Sequence, residues 1–226
     1  MEHEIAHRPS YAQLSLSLEA GETIRAEGGA MVSYAGDIDI ETKAEGGLLK
    51  SLARSVLGGE SFFMNTFTAN SAGTLELAPA LAGDMEHHHL EGETLYVQST
   101  SFVAAEPTVE VDTKFGGGRT FFGGEGLFLL KLSGTGDAFV SSYGAIDEHT
   151  VEPGESLVVD TGHIVAFEES VSFDVDRVGG IKSTLFSGEG LVCTFSGEGT
   201  VWTQTRSPDA FLSWLIPKLP STNSGN

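Results

Sequence analysis

Three consecutive histidines, His87-His88-His89, are the residues of this chain best suited to metal chemistry. In a β-strand alternate side chains share a face, so His87 and His89 would point the same way. Glu93 follows four residues after His89, and imidazole and carboxylate together bind zinc, iron or manganese. Only two further histidines lie downstream as possible additional ligands. We expect a solvated histidine run near a turn and no bound metal, with a site of His87, His89 and Glu93 as the alternative.

Three Gly-Glu pairs place acidic residues at equivalent positions of a repeated pattern, namely Glu60, Glu125 and Glu189. Three carboxylates brought together could hold a cation or shift one another's pKa. A carboxylate at a turn also accepts hydrogen bonds from nearby backbone N–H groups, which needs no ligand. Because the repeat alone explains their spacing, we expect these acids to be structural.

Two other patterns resemble parts of catalytic sites but are incomplete. Asp160 lies near His163, yet no Gly-x-Ser-x-Gly nucleophile elbow is present to complete a hydrolytic triad. The glycines at 116–118 could cradle a phosphate with their N–H groups, but the Gly-Lys-Ser/Thr of a P-loop is missing. We expect a strand end with a polar turn at the first, a connector at the second, and no catalytic residues.

A basic amphipathic segment interrupts the acidic chain, with no acid between residues 45 and 60. Leucines and a valine recur on one helical face of residues 46–59, which glycines bound. Two positive charges add only about 1 kcal/mol each of attraction to an anionic membrane. We therefore predict that Lys50, Leu52, Arg54 and Val56 contact a protein partner or a neighbouring subunit, with a core-packing helix as the alternative.

The elements that position these residues recur three times. Segments beginning at Gly21, Gly92 and Gly154 open with Gly-Glu-Ser/Thr and close on a strand of alternating apolar and polar residues. A Gly-Glu pair, an apolar strand, a glycine-rich turn and another strand follow each of them and predict a hairpin. We predict one all-β domain of three units, at about 13–82, 83–149 and 150–206. Each unit alone would expose an apolar sheet face, so the three must pack together, with pseudo-threefold symmetry.

A short helix should follow the repeats. Ser207 is a favourable N-cap, Pro208 suits the first turn, and the helix is expected to span 208–216 and end near Pro217. The polar residues 221–226 are expected to be disordered.

The charge balance restricts the possible partners. The chain has 32 acidic and 12 basic residues, a formal net charge of -20. Such a surface repels phosphates, so we expect no nucleic acid partner. The same negative charge does not support membrane association, but it does not exclude membrane association either. The scarcity of lysine favours a protein adapted to a saline cytoplasm.

The cysteine content and the N-terminus predict a cytoplasmic protein. Cys193 is the one cysteine, so no intramolecular disulfide forms, and its apolar neighbours predict a buried inert thiol. The first residues lack a basic and apolar leader, and no apolar run reaches the ~18 residues that span a bilayer.

Four stretches carry a resemblance to a known family. They are LARSVLGGESFFMNTF (52–67), FGGEGLFLLKLSGTGDAFVSSYG (122–144), VVDTGHIVAF (158–167) and GEGLVCTFSGEGTVWTQTR (188–206). Together they resemble the altered-inheritance-of-mitochondria family over residues 11–206. The resemblance implies a double-stranded β-helix, similar to the tryptophan RNA-binding attenuation protein, often assembled as trimers and without an established catalytic residue set. A eukaryotic relative is linked to mitochondrial inner-membrane organisation, which we do not carry over because this chain lacks a transit peptide.

The function we expect is that of a non-enzymatic scaffold or interaction protein without a cofactor. It would form a homotrimer, with the helix at 48–57 contributing contacts to an unknown protein partner. A cupin-like metal-dependent enzyme using His87, His89 and Glu93 is one alternative, although the second cupin motif is not recognisable. A small-ligand carrier with a pocket at the pseudo-threefold axis is another.

Overall fold

The computed structural model describes residues 1–44, 63–112, 127–177 and 191–220. Seventeen strands and one α-helix lie in these ranges. The strands are β1 (Glu2–Ala6), β2 (Gln13–Leu18), β3 (Thr23–Glu27), β4 (Met31–Ala35), β5 (Ile38–Ala44), β6 (Phe63–Ala69), β7 (Gly73–Leu77), β8 (Met85–Gln98), β9 (Phe102–Ala105), β10 (Val109–Asp112), β11 (Leu129–Ser141), β12 (Ile146–Val151), β13 (Ser156–Asp160), β14 (Ile164–Glu168), β15 (Val171–Arg177), β16 (Leu191–Gly197) and β17 (Gly199–Gln204). The helix α1 is Pro208–Leu215.

These strands form three antiparallel sheets. The first has the order β1-β2-β7-β4, and the smallest is β13-β16-β15. The largest runs β12-β17-β14-β8-β11-β9-β3-β6-β5, with β10 beside β11. The predicted all-β class is thus confirmed, and one of the two predicted short helices, α1, lies in the described residues.

The same pairing pattern occurs three times along the chain. We name the six strands of each unit a to f in chain order. Strands β2 to β7 form unit 1, and β12 to β17 form unit 3. In unit 2 the long strand β8 supplies both a and b, β9 is c, β10 is d, and the long strand β11 supplies both e and f. In every unit, a and c pair with f, whereas b and d pair with e. The a–b turn contains Gly21, Gly92 or Gly154, each with a positive φ; in unit 2 it is an irregularity inside β8, opposite the register shift of β11.

Neighbouring units are joined by pairing strand b of one unit with strand c of the next. Between units 1 and 2, Arg25 lies opposite Ala105 in the β3–β9 pair, and the guanidinium of Arg25 donates to the carbonyls of Glu106 and Val109. Between units 2 and 3, Tyr96 lies opposite Phe167 in the β8–β14 pair. Each junction therefore extends a sheet of one unit into the next.

The core consists of three apolar clusters that follow the units. Leu14, Phe67 and Leu75 belong to the first cluster, Phe102 and Leu132 to the second, and Phe167 and Phe195 to the third. Strands β9 and β14 are buried along their whole apolar length because each lies at a junction and contributes to two clusters. Burial of this kind supplies most of the favourable free energy of folding.

Two predicted boundaries shift in the structure. The unit boundary drawn at residue 150 falls inside β12, which begins at Ile146 because strand a of unit 3 pairs along its length with β17. Helix α1 begins as predicted, with the Oγ of Ser207 accepting from the N–H of Ala210, but it ends at Leu215 and continues as a 3-10 turn. The helix predicted at 46–59 and the tail 221–226 lie outside the described residues.

Candidate functional site

Strands β8 and β11 position the histidine run. Their antiparallel register places His89 opposite Asp137, His88 opposite Ala138 and His87 opposite Phe139. Alternation along β8 puts His87 and His89 on one face and His88 on the other. Asp137 lies on the face of the first two, so the sheet itself brings two imidazoles to one carboxylate.

One oxygen of Asp137 contacts both imidazoles of that face. Its Oδ1 lies 2.8 Å from Nε2 of His87 and 2.6 Å from Nδ1 of His89. The ring of His3, from β1, packs on His87 with 4.2 Å between ring centres. One ligand atom from each of His3, His87 and Asp137 can be chosen so that all three lie within 4.8 Å of one another. We call these three residues the His3 cluster; their atoms are of the kinds that bind zinc and related metals.

The electrostatics of the His3 cluster favour an ionised carboxylate. Burial opposes ionisation of Asp137, but the hydrogen bonds from His89 and His87 outweigh it and hold the pKa of this acid below its usual value. The hydrogen bond to Asp137 raises the pKa of His89. Burial, with the interaction with His87 acting in the same direction, lowers the pKa of His3 and so favours the neutral imidazole that a metal ligand requires.

His88 differs from its neighbours because its side chain enters the protein interior. Burial lowers its pKa to about 4, and its ring packs edge-on against Trp202. The prediction of a solvated histidine run near a turn is therefore wrong for this residue. The run lies near the start of β8 and pairs with β11, and the positive-φ position Gly92 comes after it.

Glu93 lies apart from the His3 cluster and stabilises a turn. Its carboxylate accepts a hydrogen bond from the N–H of Glu91 at 3.0 Å. In unit 1 the equivalent Glu22 accepts from the N–H of Glu19 at 2.8 Å. The structure thus brings His87 and His89 together, as predicted, but joins them to Asp137 and not to Glu93.

The remaining predicted residues divide into two groups. The proposed partner-binding and repeat-equivalent residues lie outside the described part of the chain: Lys50, Leu52, Arg54, Val56, Glu60, Glu125 and Glu189. Asp160 ends β13 and accepts from the N–H of Gly162 at 2.9 Å, which confirms the polar turn expected there. Cys193 is buried, and its burial raises the pKa of the thiol to about 12, as expected of an inert cysteine.

Edge strands β4 and β13 expose apolar side chains, as edge strand β5 does at Ile40. In β4, Val32 is 54% exposed and Tyr34 45% exposed, and in β13 Val158 is 59% exposed. Within the described residues, the sheet order gives β4 one neighbour, β7, and gives β13 one neighbour, β16. Apolar edge strands with unpaired N–H and C=O groups are templates for pairing with another chain.

Sequence reasoning missed Asp137, His3 and the importance of β4. Asp137 could have been predicted, because pairing strands a and f of unit 2 in register places it opposite His89. His3 carried no such signal, since β1 precedes the repeated pattern and pairs with β2. The exposure of β4 follows from its place at the end of the series of units, which its composition does not show.

Comparison with known proteins agrees with the resemblance seen in the sequence. The model of a family described as mitochondrial biogenesis AIM24 matches residues 3–206. An uncharacterized protein of Streptococcus pyogenes is 25% identical over 232 residues, covering 99% of this chain and 93% of that protein. A crystal structure of a Streptococcus pyogenes protein is similar with a TM-score of 0.80 at 25% identity, over 96% of this chain and 99% of that one. No helix in the described part of the chain is long and apolar enough to cross a membrane.

Proposed function

The chain belongs to the mitochondrial biogenesis AIM24 family, and on that premise we propose that it is a non-enzymatic scaffold that assembles with copies of itself. The observation that carries this proposal is the difference between β4 and its two counterparts. Strand c is buried in unit 2 and unit 3, where a preceding unit covers it, but exposed in unit 1. A second copy of the chain would cover it in the same way.

Two finer features remain part of this proposal. The double-stranded β-helix similar to the tryptophan RNA-binding attenuation protein is consistent with three units of one pairing pattern. A trimer is consistent with a chain that has one open strand at each end of its series of units, because such ends join head to tail and close into a ring. The helix expected around Lys50 and Arg54 would contribute further contacts.

The test is the mass of the protein in solution, measured by light scattering on a sizing column. We expect wild type to elute at three times the 23.8 kDa chain mass. A charge on an edge strand blocks pairing, so Val32→Lys should shift the protein to a single chain. Ile40→Lys is the matched control, because Ile40 is also exposed on an edge strand, β5, which belongs to a different sheet from β4, and it should keep the wild-type mass. Wild type that stays a single chain across a wide concentration range rejects the proposal.

A cupin-like metal-dependent enzyme is the second candidate, and the His3 cluster is the observation that favours it. Its ligands would be His3, His87 and Asp137 in place of the predicted His87, His89 and Glu93. Elemental analysis after incubation of untagged protein with zinc, and removal of free metal, tests it. We expect about one metal per chain if the candidate is right, lost in Asp137→Asn and retained in Glu93→Gln. Retention by both variants, or no metal in wild type, rejects this site.

A further inference from the structure

We infer that β4 of one copy pairs antiparallel with β13 of the next copy, with Tyr34 opposite Val158. This inference rests on the proposed self-assembly and specifies its partner, its strands and its register. The c strands of the three units are equivalent, the b strands are equivalent, and the two internal junctions share one register.

The c strands can be aligned through their pairing with strand f. In each unit the pairing of strand c with strand f shifts by one residue after the first paired position. The shift lies between Met31 and Ser33 in β4, between Phe102 and Ala104 in β9, and between Ile164 and Ala166 in β14. A bulge is a defined geometric feature, so its recurrence fixes the alignment. Tyr34 is therefore equivalent to Ala105 and Phe167.

The b strands can be aligned through the turn that precedes them. Each follows a Gly-Glu-Ser/Thr sequence whose glycine has a positive φ of 91°, 109° or 88°. Counting from these glycines makes Val158 equivalent to Arg25 of unit 1 and Tyr96 of unit 2. The pairing of each b strand with its e strand is unbroken over this region, so no further residue is inserted.

Both internal junctions then show one register. Arg25 lies opposite Ala105, and Tyr96 lies opposite Phe167, which are the same two positions in successive units. At the second junction the two aromatic rings contact each other, with 5.2 Å between their centres. Transferred to the open strands, this register sets Val158 opposite Tyr34 and Val159 opposite Ser33.

The side-chain burial of the c strands agrees with this transfer. Val103 of β9 enters the core cluster of unit 1, and Val165 of β14 enters that of unit 2, so this position always faces the preceding unit. Val32 holds the same position in β4 and is exposed. In the assembly it would enter the third cluster of the neighbouring copy, next to Val159.

The open strands carry no proline and almost no charge. The five residues of β4 carry no charge and no proline, and β13 has one acid, at its last residue. Natural proteins often protect exposed edges with lysine or proline, and neither occurs in these two strands. The bulge of β4 is shared by β9 and β14, which still pair with a neighbouring unit, so it does not prevent pairing. The scarcity of charge along these two edges, in a chain of net charge -20, fits strands that a second copy covers.

Disulfide trapping tests the register. Opposed residues of an antiparallel pair are close enough for a disulfide, so Tyr34→Cys mixed with Val158→Cys should give a cross-linked dimer under oxidised glutathione. Ser33→Cys mixed with Val158→Cys is the matched control; it differs by one residue, faces the other side of the sheet and should give at least tenfold less dimer. Cys193 is buried and unreactive, so it does not interfere.

Four outcomes decide the inference. Cross-linked dimer in the first mixture and not in the control supports it. A chain carrying both Tyr34→Cys and Val158→Cys that links only within itself overturns it, since the third junction then closes inside one chain. An oligomer by light scattering that never cross-links in the first mixture overturns the pairing while the self-assembly stands. A single-chain mass without cross-linking overturns both.

Discussion

The three histidines of β8 show how one sequence motif acquires different roles. His87 and His89 share Asp137 on an accessible face, whereas His88 packs into the interior against Trp202. Strand alternation predicted from the sequence that His87 and His89 share a face, and that is confirmed. Which face would be buried could not be predicted, because it depends on how β8 packs against β11 and β17, which no local pattern specifies.

At the residue scale, we predict that His88 makes stability depend on pH. Its pKa is about 4 in the folded protein and near 6.5 when unfolded, so the unfolded chain binds more protons between these values. Stability is therefore full above pH 6.5 and falls as the pH is lowered towards 4, by at most about 3 kcal/mol. Urea unfolding at pH 7 and pH 4 should show a smaller loss for His88→Phe than for wild type.

A matched control separates this effect from general acid unfolding. His7→Asn removes an exposed histidine and keeps a residue that tolerates the positive φ of that position. Its loss of stability between the two pH values should equal that of wild type. Equal losses in all three proteins would show that His88 is protonated as readily in the folded state as in the unfolded state.

At the scale of elements, strands with one solvated face were predictable and strands at junctions were not. Val109 and Val111 alternate with Glu110 and Asp112, which predicted β10. The residues of β9, Phe102-Val103-Ala104-Ala105, show no alternation because both faces are buried at the junction between units 1 and 2. A short apolar run of this kind fits a strand or a helix equally well.

The repeated turn between strands a and b gives a prediction for the three units together. Gly21, Gly92 and Gly154 have φ values of 91°, 109° and 88°, and nothing lies within 4 Å of a Cβ added to any of them. Substitution by alanine should therefore cost about 1 kcal/mol at each position through backbone strain alone. Thermal or chemical unfolding of the three variants measures this, with Glu91→Ala as a control of ordinary strand conformation.

Similar losses at the three positions would show that the turns are equivalent. Loss at one position and none at the other two would contradict the alignment of the units on which the register of the open strands depends.

At the scale of the whole molecule, the sequence predicted three units but not how they are joined. The Gly-Glu-Ser/Thr pattern repeats without any sign of which unit-to-unit pairings form inside the chain. Two pairings between units form in the described structure, β3–β9 and β8–β14. The third pairing would join β4 and β13, which remain unpaired with each other there. The saline environment suggested by the acidic composition stays a prediction, as does a partner for the segment around Lys50.

Hydrogen exchange of the backbone amides of β4 and β13 shows whether the third junction is paired, and it requires no engineered contact. In concentrated wild-type protein we predict that amides of both strands exchange at least tenfold more slowly than in the Val32→Lys variant, while those of β9 and β14 exchange equally slowly in both. Fast exchange of β4 and β13 in wild type at every concentration, with β9 and β14 protected, would show that the third junction stays open and contradict the account.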